Sequence, residues 1–287
     1  MKIAFCCIVF NGDFVLKQLL ESIYPYANQI IIVDGVVDYW AKLGFTGSVD
    51  ETISIIENFP NPDGKIVLLK NQVAKEKTEL CRKFMPFIAE DTDYIWCIDS
   101  DEIFKGVDIE KVIELLKEIN PTSVSFQSNT FFGGFDHIMG GFERDHNFKR
   151  ILKYEKGCTY VDHRPPTLSV PNDRPFSGKQ LFERTGVEMY HYSYVSPYQV
   201  YDKMQYYKAA VSMHNCIPDY FEQIWLRWVE KPQDRKLIED KWLGVHEFIP
   251  SYRGECRTMI FKGEHPEPIK RDMELLKLKF NEQLRED

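Results

Sequence analysis

Between residues 3 and 126 the chain alternates between two hydrophobic periods, and this constrains its fold more than any other feature. A continuous apolar run occupies residues 3–10, mainly apolar segments of strand length occupy 29–33, 65–69 and 94–98, and a further strand begins at 124–126. Between them lie segments 13–23, 50–59, 75–88 and 108–119, whose apolar residues recur at helical spacing, as Leu16, Leu19, Leu20 and Ile23 do. A strand that is apolar throughout is buried on both faces, and strands joined by helices run parallel. The alternation therefore predicts an α/β fold with a mostly parallel central sheet and flanking helices. Pro86 is expected to bend the third helix, and Asp108 to cap the fourth.

After residue 130 the pattern changes. Gly133-Gly134 and Gly140-Gly141 mark turns around a segment that reads as a loop over a ligand or as a plain connection. Residues 149–154, 158–161 and 187–192 read as further strands. Ser196-Pro197 opens a helix, with Gln199 completing a capping box. The remainder reads mainly as helices broken at Pro218, Pro232, Pro250 and Pro266. The expectation is a domain over residues 1–193 and a helical C-terminal extension over 194–287. The stripe Ile269, Met273, Leu276, Phe280 and Leu284 should dock that extension.

Composition narrows the functional classes. Lys+Arg 36 against Asp+Glu 44 gives a net charge of -8, which argues against a general nucleic-acid binder. Seven cysteines form no Cys-x-x-Cys pair, so neither a disulfide framework nor a cysteine zinc site is indicated, and a reducing compartment fits. The apolar run 3–10 is far shorter than the ~20 residues of a membrane span. The expectation is no transmembrane segment, and a cytoplasmic location that includes the cytoplasmic face of a membrane.

The chemistry-bearing cluster is Asp99-Ser100-Asp101-Glu102, at the end of the fourth strand. Residues two apart in an extended chain point to the same side, so Asp99 and Asp101 can converge. Ligands of open α/β sheets sit outside the carboxyl ends of the strands. Three carboxylates crowded there need a positive neutraliser. Mg²⁺ or Mn²⁺ supplies one and keeps coordination positions for phosphate oxygens, which suggests a metal-bridged diphosphate. The plain alternative is a set of turn-forming acids.

In order and spacing these segments resemble glycosyltransferase family 2, nucleotide-sugar transferases of the GT-A fold. The resemblance runs over residues 2–102, with weaker echoes to Tyr207. It rests on Asn11-Gly12-Asp13-Phe14 after the first strand, Ile30 to Gly35 as the second, and Lys77 and Arg82 before the acidic strand. Trp96 to Glu102 completes it as the Asp-x-Asp motif. The family's Ser-Thr-Asp-Gly-Thr-like turn is similar to Ser48-Val49-Asp50-Glu51-Thr52, displaced by an insertion of residues 36–47. Many members carry two adjacent acids where this chain has Asp34-Gly35.

The resemblance implies a nucleotide-sugar half, 1–105, and an acceptor half, 106–193. It implies transfer of a sugar from a nucleotide-diphosphate donor to an acceptor hydroxyl, usually with inversion. Asn11, Asp34, Lys77, Arg82 and Asp99 would bind the donor, a UDP-sugar in first place, then GDP or dTDP. Asp99, Asp101 and His191 would hold Mn²⁺ or Mg²⁺; a histidine ligand tilts the choice towards Mn²⁺. The acceptor would be a glycan or glycoconjugate. Inversion needs a base for the acceptor proton, and Asp162 is favoured over its neighbour His163. Lys77 and Arg82 read equally as a solvated helix face, and His191 as a hydrogen-bonded strand residue. The rival activities are a haloacid-dehalogenase-like phosphatase with Asp99 as nucleophile, and a non-catalytic carbohydrate-binding protein.

Overall fold

The structure, a computed structural model, describes residues 1–210 and 215–285. In chain order its first elements are β1 (Ile3–Val9), α1 (Leu16–Ile23), β2 (Gln29–Val37), α2 (Asp38–Lys42), α3 (Thr52–Asn58), β3 (Ile66–Ala74) and α4 (Lys77–Phe84). Then come β4 (Tyr94–Cys97), β5 (Glu102–Ile103), α5 (Gly106–Ile119), β6 (Ser123–Phe126), β7 (Ser128–Phe132), β8 (His137–Met139) and α6 (Phe142–Asp145). After these are β9 (Phe148–Lys153), β10 (Tyr160–His163), β11 (Pro166–Leu168), β12 (Pro175–Phe176), α7 (Gly178–Thr185), β13 (Met189–Tyr194) and α8 (Pro197–Ala210). The last elements are α9 (Arg227–Glu230), α10 (Arg235–Trp242), α11 (Pro250–Arg253), β14 (Thr258–Ile260) and α12 (Glu267–Gln283).

Two compact units are interleaved along the chain. One comprises Met1–Gln127, Asn147–Met189 and Pro266–Pro268, the other Ser128–His146, Tyr190–His265 and Ile269–Asp287. The chain thus passes between them several times, and residues 128–146 go with C-terminal segments. Sequence periodicity placed one boundary, at Ser193.

The first unit is built on a seven-stranded sheet of order β12-β6-β9-β4-β1-β2-β3. β1 pairs in parallel with β2 and β4, and β2 with β3, as the β-α alternation requires. β9 runs antiparallel between β4 and β6, so the sheet is mixed. Phe5, Trp96, Phe104 and Phe126 form its aromatic centre, with ring centroids 5.0–5.5 Å apart along the chain of contacts. α1 buries Leu16, Leu19, Leu20 and Ile23 from one face, the stripe visible in the sequence. Pro86 ends α4 and begins a short 3₁₀ turn, Met85–Phe87. Asp108 does not cap α5. The helix begins two residues earlier, and Asp108 sits in its first turn, 3.5 Å from Lys111, where a carboxylate complements the helix dipole.

The second unit carries the strands β14-β8-β7-β13. Its core gathers Trp225, Trp228, Tyr220, Phe221 and Ile224 from a π-helical segment and its flanks. Phe280 and Leu284 of the C-terminal stripe pack on this core, and Ile269 and Leu276 are buried, as the periodicity of that segment predicts. The segment between the two glycine pairs contains β8, which pairs with β14 and β7, and further bonds pin its ends. Gly133 N–H donates to Tyr194 O, Phe261 N–H donates to Asp136 O, and His265 Nε2 lies 3.1 Å from Phe135 O.

A charged network lies inside this unit. Tyr194 Oη donates to Glu247, whose Oε2 is also 3.0 Å from His246 Nδ1. His246 Nε2 lies 3.8 Å from Glu143, which accepts a 3.1 Å bond from Thr130 Oγ1. Tyr194, Glu143, His246 and Glu247 are all buried. Burial alone would push the Glu247 carboxyl up, but His246, Lys203 and the Tyr194 hydroxyl outweigh it and hold its pKa below the ordinary value.

Candidate active site at the strand ends

At the carboxyl end of β1 the chain turns through Asn11, which adopts a left-handed φ of 49°. Asn11 N–H donates to Ser48 Oγ at 2.9 Å, and Asn11 Oδ1 accepts from Val49 N–H at 3.0 Å. Gly12 N–H donates to Thr52 Oγ1, and Asp50 accepts from the N–H groups of both Asp13 and Thr52. The displaced turn 48–52 is therefore clasped to residues 11–13. The same loop lies on the acidic segment, because a Cβ on Gly12 would come within 2.5 Å of Ser100 Oγ.

Asp34, one strand over, is fully buried. Its Oδ1 accepts from Ser48 N–H at 2.8 Å and its Oδ2 from Asn71 N–H at 3.1 Å. Gly35 occupies an irregularity in the β2–β3 ladder, where a Cβ would lie 2.2 Å from Gln72 O. A second acid has no room there, which accounts for the departure from the family pattern. The insertion, residues 36–47, is not a loop throughout. β2 continues to Val37, α2 follows, and Trp40 and Phe45 pack on Phe10 with centroids 5.1 and 5.7 Å away.

The acids at the end of β4 differ in exposure. The Asp99 side chain is 42% exposed, whereas Asp101 and Glu102 are buried. Charge neutralisation was expected from a metal ion, but Arg150 of β9 supplies much of it. Arg150 Nε lies 2.9 and 2.8 Å from the two Glu102 oxygens, Nη2 also bonds Glu102, and Nη2 reaches Asp99 Oδ2 at 3.1 Å. Burial opposes the guanidinium charge, yet Glu102 and Asp99 outweigh it and raise its pKa further. Sequence reasoning missed Arg150 because β9 reaches β4 by a long-range antiparallel pairing. The available signal was weak: β9 reads Phe-Lys-Arg-Ile-Leu-Lys, and an arginine beside the buried Ile151-Leu152 of a strand calls for a partner.

A small pocket opens beside Asp99 and Arg150, walled by Cys81, Cys97, Tyr160 and His163 among others. His163 Nδ1 lies 3.5 Å from Cys81 Sγ. Burial pushes the His163 pKa down to about 3; Asp99 opposes this, while Lys77, Arg164 and Arg150 reinforce it. His163 is therefore neutral at pH 7. Asp162 alternates to the other side of β10 and is exposed, and its Oδ1 accepts from Arg164 N–H at 3.0 Å. Arg82 is turned to structural use, since Nε donates to Tyr160 O at 2.8 Å and Nη2 to Val161 O at 3.4 Å. Lys77 is half-buried at the start of α4.

In the second unit His191 lies on β13, and Lys203 of α8 donates to Ser193 and stands 4.1 Å over the Tyr194 ring. Among the described residues no three His, Cys, Asp or Glu side chains are grouped as a metal cage. What the first unit offers a cation is carboxylate from Asp99 and Asp101. That donor set suits Mg²⁺ or Mn²⁺ held by one or two carboxylates and completed by phosphate and water. Among the described residues no helix is long and apolar enough to cross a membrane.

The sequence matches the profile described as Glycosyl transferase family 2 over residues 8–166. No curated protein matches it by sequence. Among solved structures it is similar to S. aureus TarS 1-349 in complex with UDP-GlcNAc, at 14% identity and a TM-score of 0.35, over 46% of this chain and 35% of that one. It is similar to the mannosyltransferase PcManGT of Pyrobaculum calidifontis in complex with GDP-Man and Mn²⁺, at 13% identity and a TM-score of 0.38, over 53% and 44% of the two chains. A third is glucosyl-3-phosphoglycerate synthase of Mycobacterium tuberculosis in complex with Mn²⁺, UDP and phosphoglyceric acid, at 18% identity and a TM-score of 0.34, over 44% and 43%. The chain spans less than half the length of each. The profile covers more than half of the chain, and it includes the loop after β1, the displaced turn and the acids after β4. The chain therefore belongs to glycosyl transferase family 2, and its α/β architecture is the GT-A fold of that family.

Proposed function

We propose that this chain transfers a sugar from a nucleotide-diphosphate donor to an acceptor hydroxyl, with inversion, at the strand ends of the first unit. The observation that carries this reading is the half-exposed Asp99 set beside the partly buried Arg150, with the Asn11–Asp13 loop laid against the same segment. Asp99 and Asp101 hold Mn²⁺ or Mg²⁺, which neutralises charge on the departing diphosphate when bound. Arg150 keeps Glu102 and Asp99 in place, and Lys77 lends positive potential. The acceptor oxygen bonds to the anomeric carbon as the bond to the phosphate oxygen breaks. The electron pair leaves with the nucleoside diphosphate, and the hydroxyl proton passes to a carboxylate base. Asp162, an exposed carboxylate, is taken as that base ahead of His163, whose pKa burial holds well below its ordinary value; Asp162 lies on the other side of β10 from His163, so the acceptor is expected on that side. A UDP-sugar is the first donor to try, then GDP- and dTDP-sugars, and a glycan or glycoconjugate is the acceptor class.

The test is release of nucleoside diphosphate from a panel of nucleotide sugars with Mn²⁺ or Mg²⁺. Asp101→Ala is expected to lower release about a hundredfold or more, with the thermal transition retained. Unchanged turnover in that variant would remove the assigned role. Hydrolysis of an aryl phosphate that disappears in Asp99→Asn would replace this reading with the phosphatase.

A further inference from the structure

The resemblance assigns the donor's base or ribose to Asp34, but Asp34 is fully buried and each of its oxygens accepts a backbone N–H. Gly35 beside it has no room for a side chain. This strand end therefore offers little to read the polar edge of a base. It continues instead into the inserted segment, where four rings gather. Trp40 lies 5.1 Å from Phe10, 5.8 Å from Phe45 and 4.8 Å from Tyr39, centroid to centroid.

All four rings are partly exposed, whereas Trp96, Trp225 and Trp228 are enclosed. The cluster is continuous with the site. Phe10 leads directly into Asn11, and Phe45 runs through Gly47 into Ser48, which bonds both Asn11 and Asp34. A Cβ on Gly47 would come within 2.3 Å of Asp34 Oδ2, so the backbone that carries the rings is pressed onto the strand end.

We propose that the inserted rings, Trp40 and Phe45 foremost, form the surface on which the donor's nucleobase stacks, in place of hydrogen-bond reading by Asp34. This rests on the nucleotide-sugar reading above. Every base has a π face, so stacking grips without selecting. A site built to hydrogen-bond one base rejects the others strongly. The chain is thus expected to bind nucleoside diphosphates with weak preference for the base, its selectivity lying in the sugar.

Calorimetric titration of UDP, GDP and ADP with Mn²⁺ into the unaltered chain, Trp40→Leu and Trp40→Phe tests this. Leucine keeps apolar bulk against Phe10 but removes the ring face. The unaltered chain should bind all three within about tenfold of one another, and Trp40→Leu should weaken each about tenfold while Trp40→Phe recovers most of the loss. The thermal transition without nucleotide should stay unchanged; if Trp40→Leu fails to fold, Phe45→Leu is read against the same scale. Equal binding by the leucine variant, or a hundredfold preference for one base, overturns the stacking surface and leaves the transferase reading intact. No binding of any nucleotide by the unaltered chain overturns both.

Discussion

Each unit encloses a hydrogen-bonded network built on carboxylates, and the two arrangements part at the surface. In the first unit Glu102 is buried under Arg150, but Asp99 on the same guanidinium remains 42% exposed. In the second, Glu143, His246 and Glu247 are all buried. Removing two charges from water costs several kcal/mol, and their attraction offsets this only when the hydrogen bonding is complete. A network closed on all sides can do no more than hold its elements in register. A network with one oxygen left at the rim can hold its elements and still present charge to a ligand. The comparison separates an acidic cluster that leaves one carboxylate at the surface from one that is enclosed throughout.

The largest effect should come from breaking the first network. Arg150→Met leaves Glu102 buried without its cation and should cost about 3–5 kcal/mol, read as a lowered denaturant midpoint. Adding Glu102→Gln should recover part of the loss, which a merely bulky role for Arg150 would not allow. The second network should yield less. Glu247→Gln keeps the shape and loses the charge, and about 1–3 kcal/mol at pH 7 is expected. The pKa of Glu247 is held below its ordinary value, so its contribution is present above that value and fades as pH falls through the folded-state pKa. The melting temperatures of the variant and the unaltered chain should therefore converge in acid, and parallel curves would exclude this role. The smallest effect on stability belongs to Asp162→Asn. Asp162 is exposed and an amide oxygen can still accept from Arg164 N–H, so less than about 0.5 kcal/mol is expected. Turnover should nevertheless fall about a hundredfold or more with nucleotide affinity retained. Loss of both together would speak against its place as base.

Local periodicity made the parallel core legible. Residues 3–10, 29–33 and 94–98 carry enough buried apolar length to be read as central strands, and the acids that follow them mark a strand end. What escaped depended on contacts distant in sequence. Arg150 meets Asp99 and Glu102 only because β9 turns back between β4 and β6. The burial of Asp34 depends on a turn fourteen residues later and on β3. A local signal is Ser177 with Gln180, which form a capping box at the start of α7. At Ser196, Gln199 N–H does reach the cap oxygen at 3.3 Å, and Ser196 Oγ donates to Gln283 Oε1 at 2.9 Å.

The antiparallel β9 also bears on how such a chain matures. Until residue 153 has left the ribosome, β4 lacks one neighbour and Glu102 lacks its counter-charge. A nascent segment ending near residue 105 holds three parallel βα units and every acid of the strand-end site, yet it cannot close its own sheet. Truncation libraries that seek a minimal donor-binding fragment would have to extend through β9, because this inner stave of the sheet is translated long after β4, which it joins.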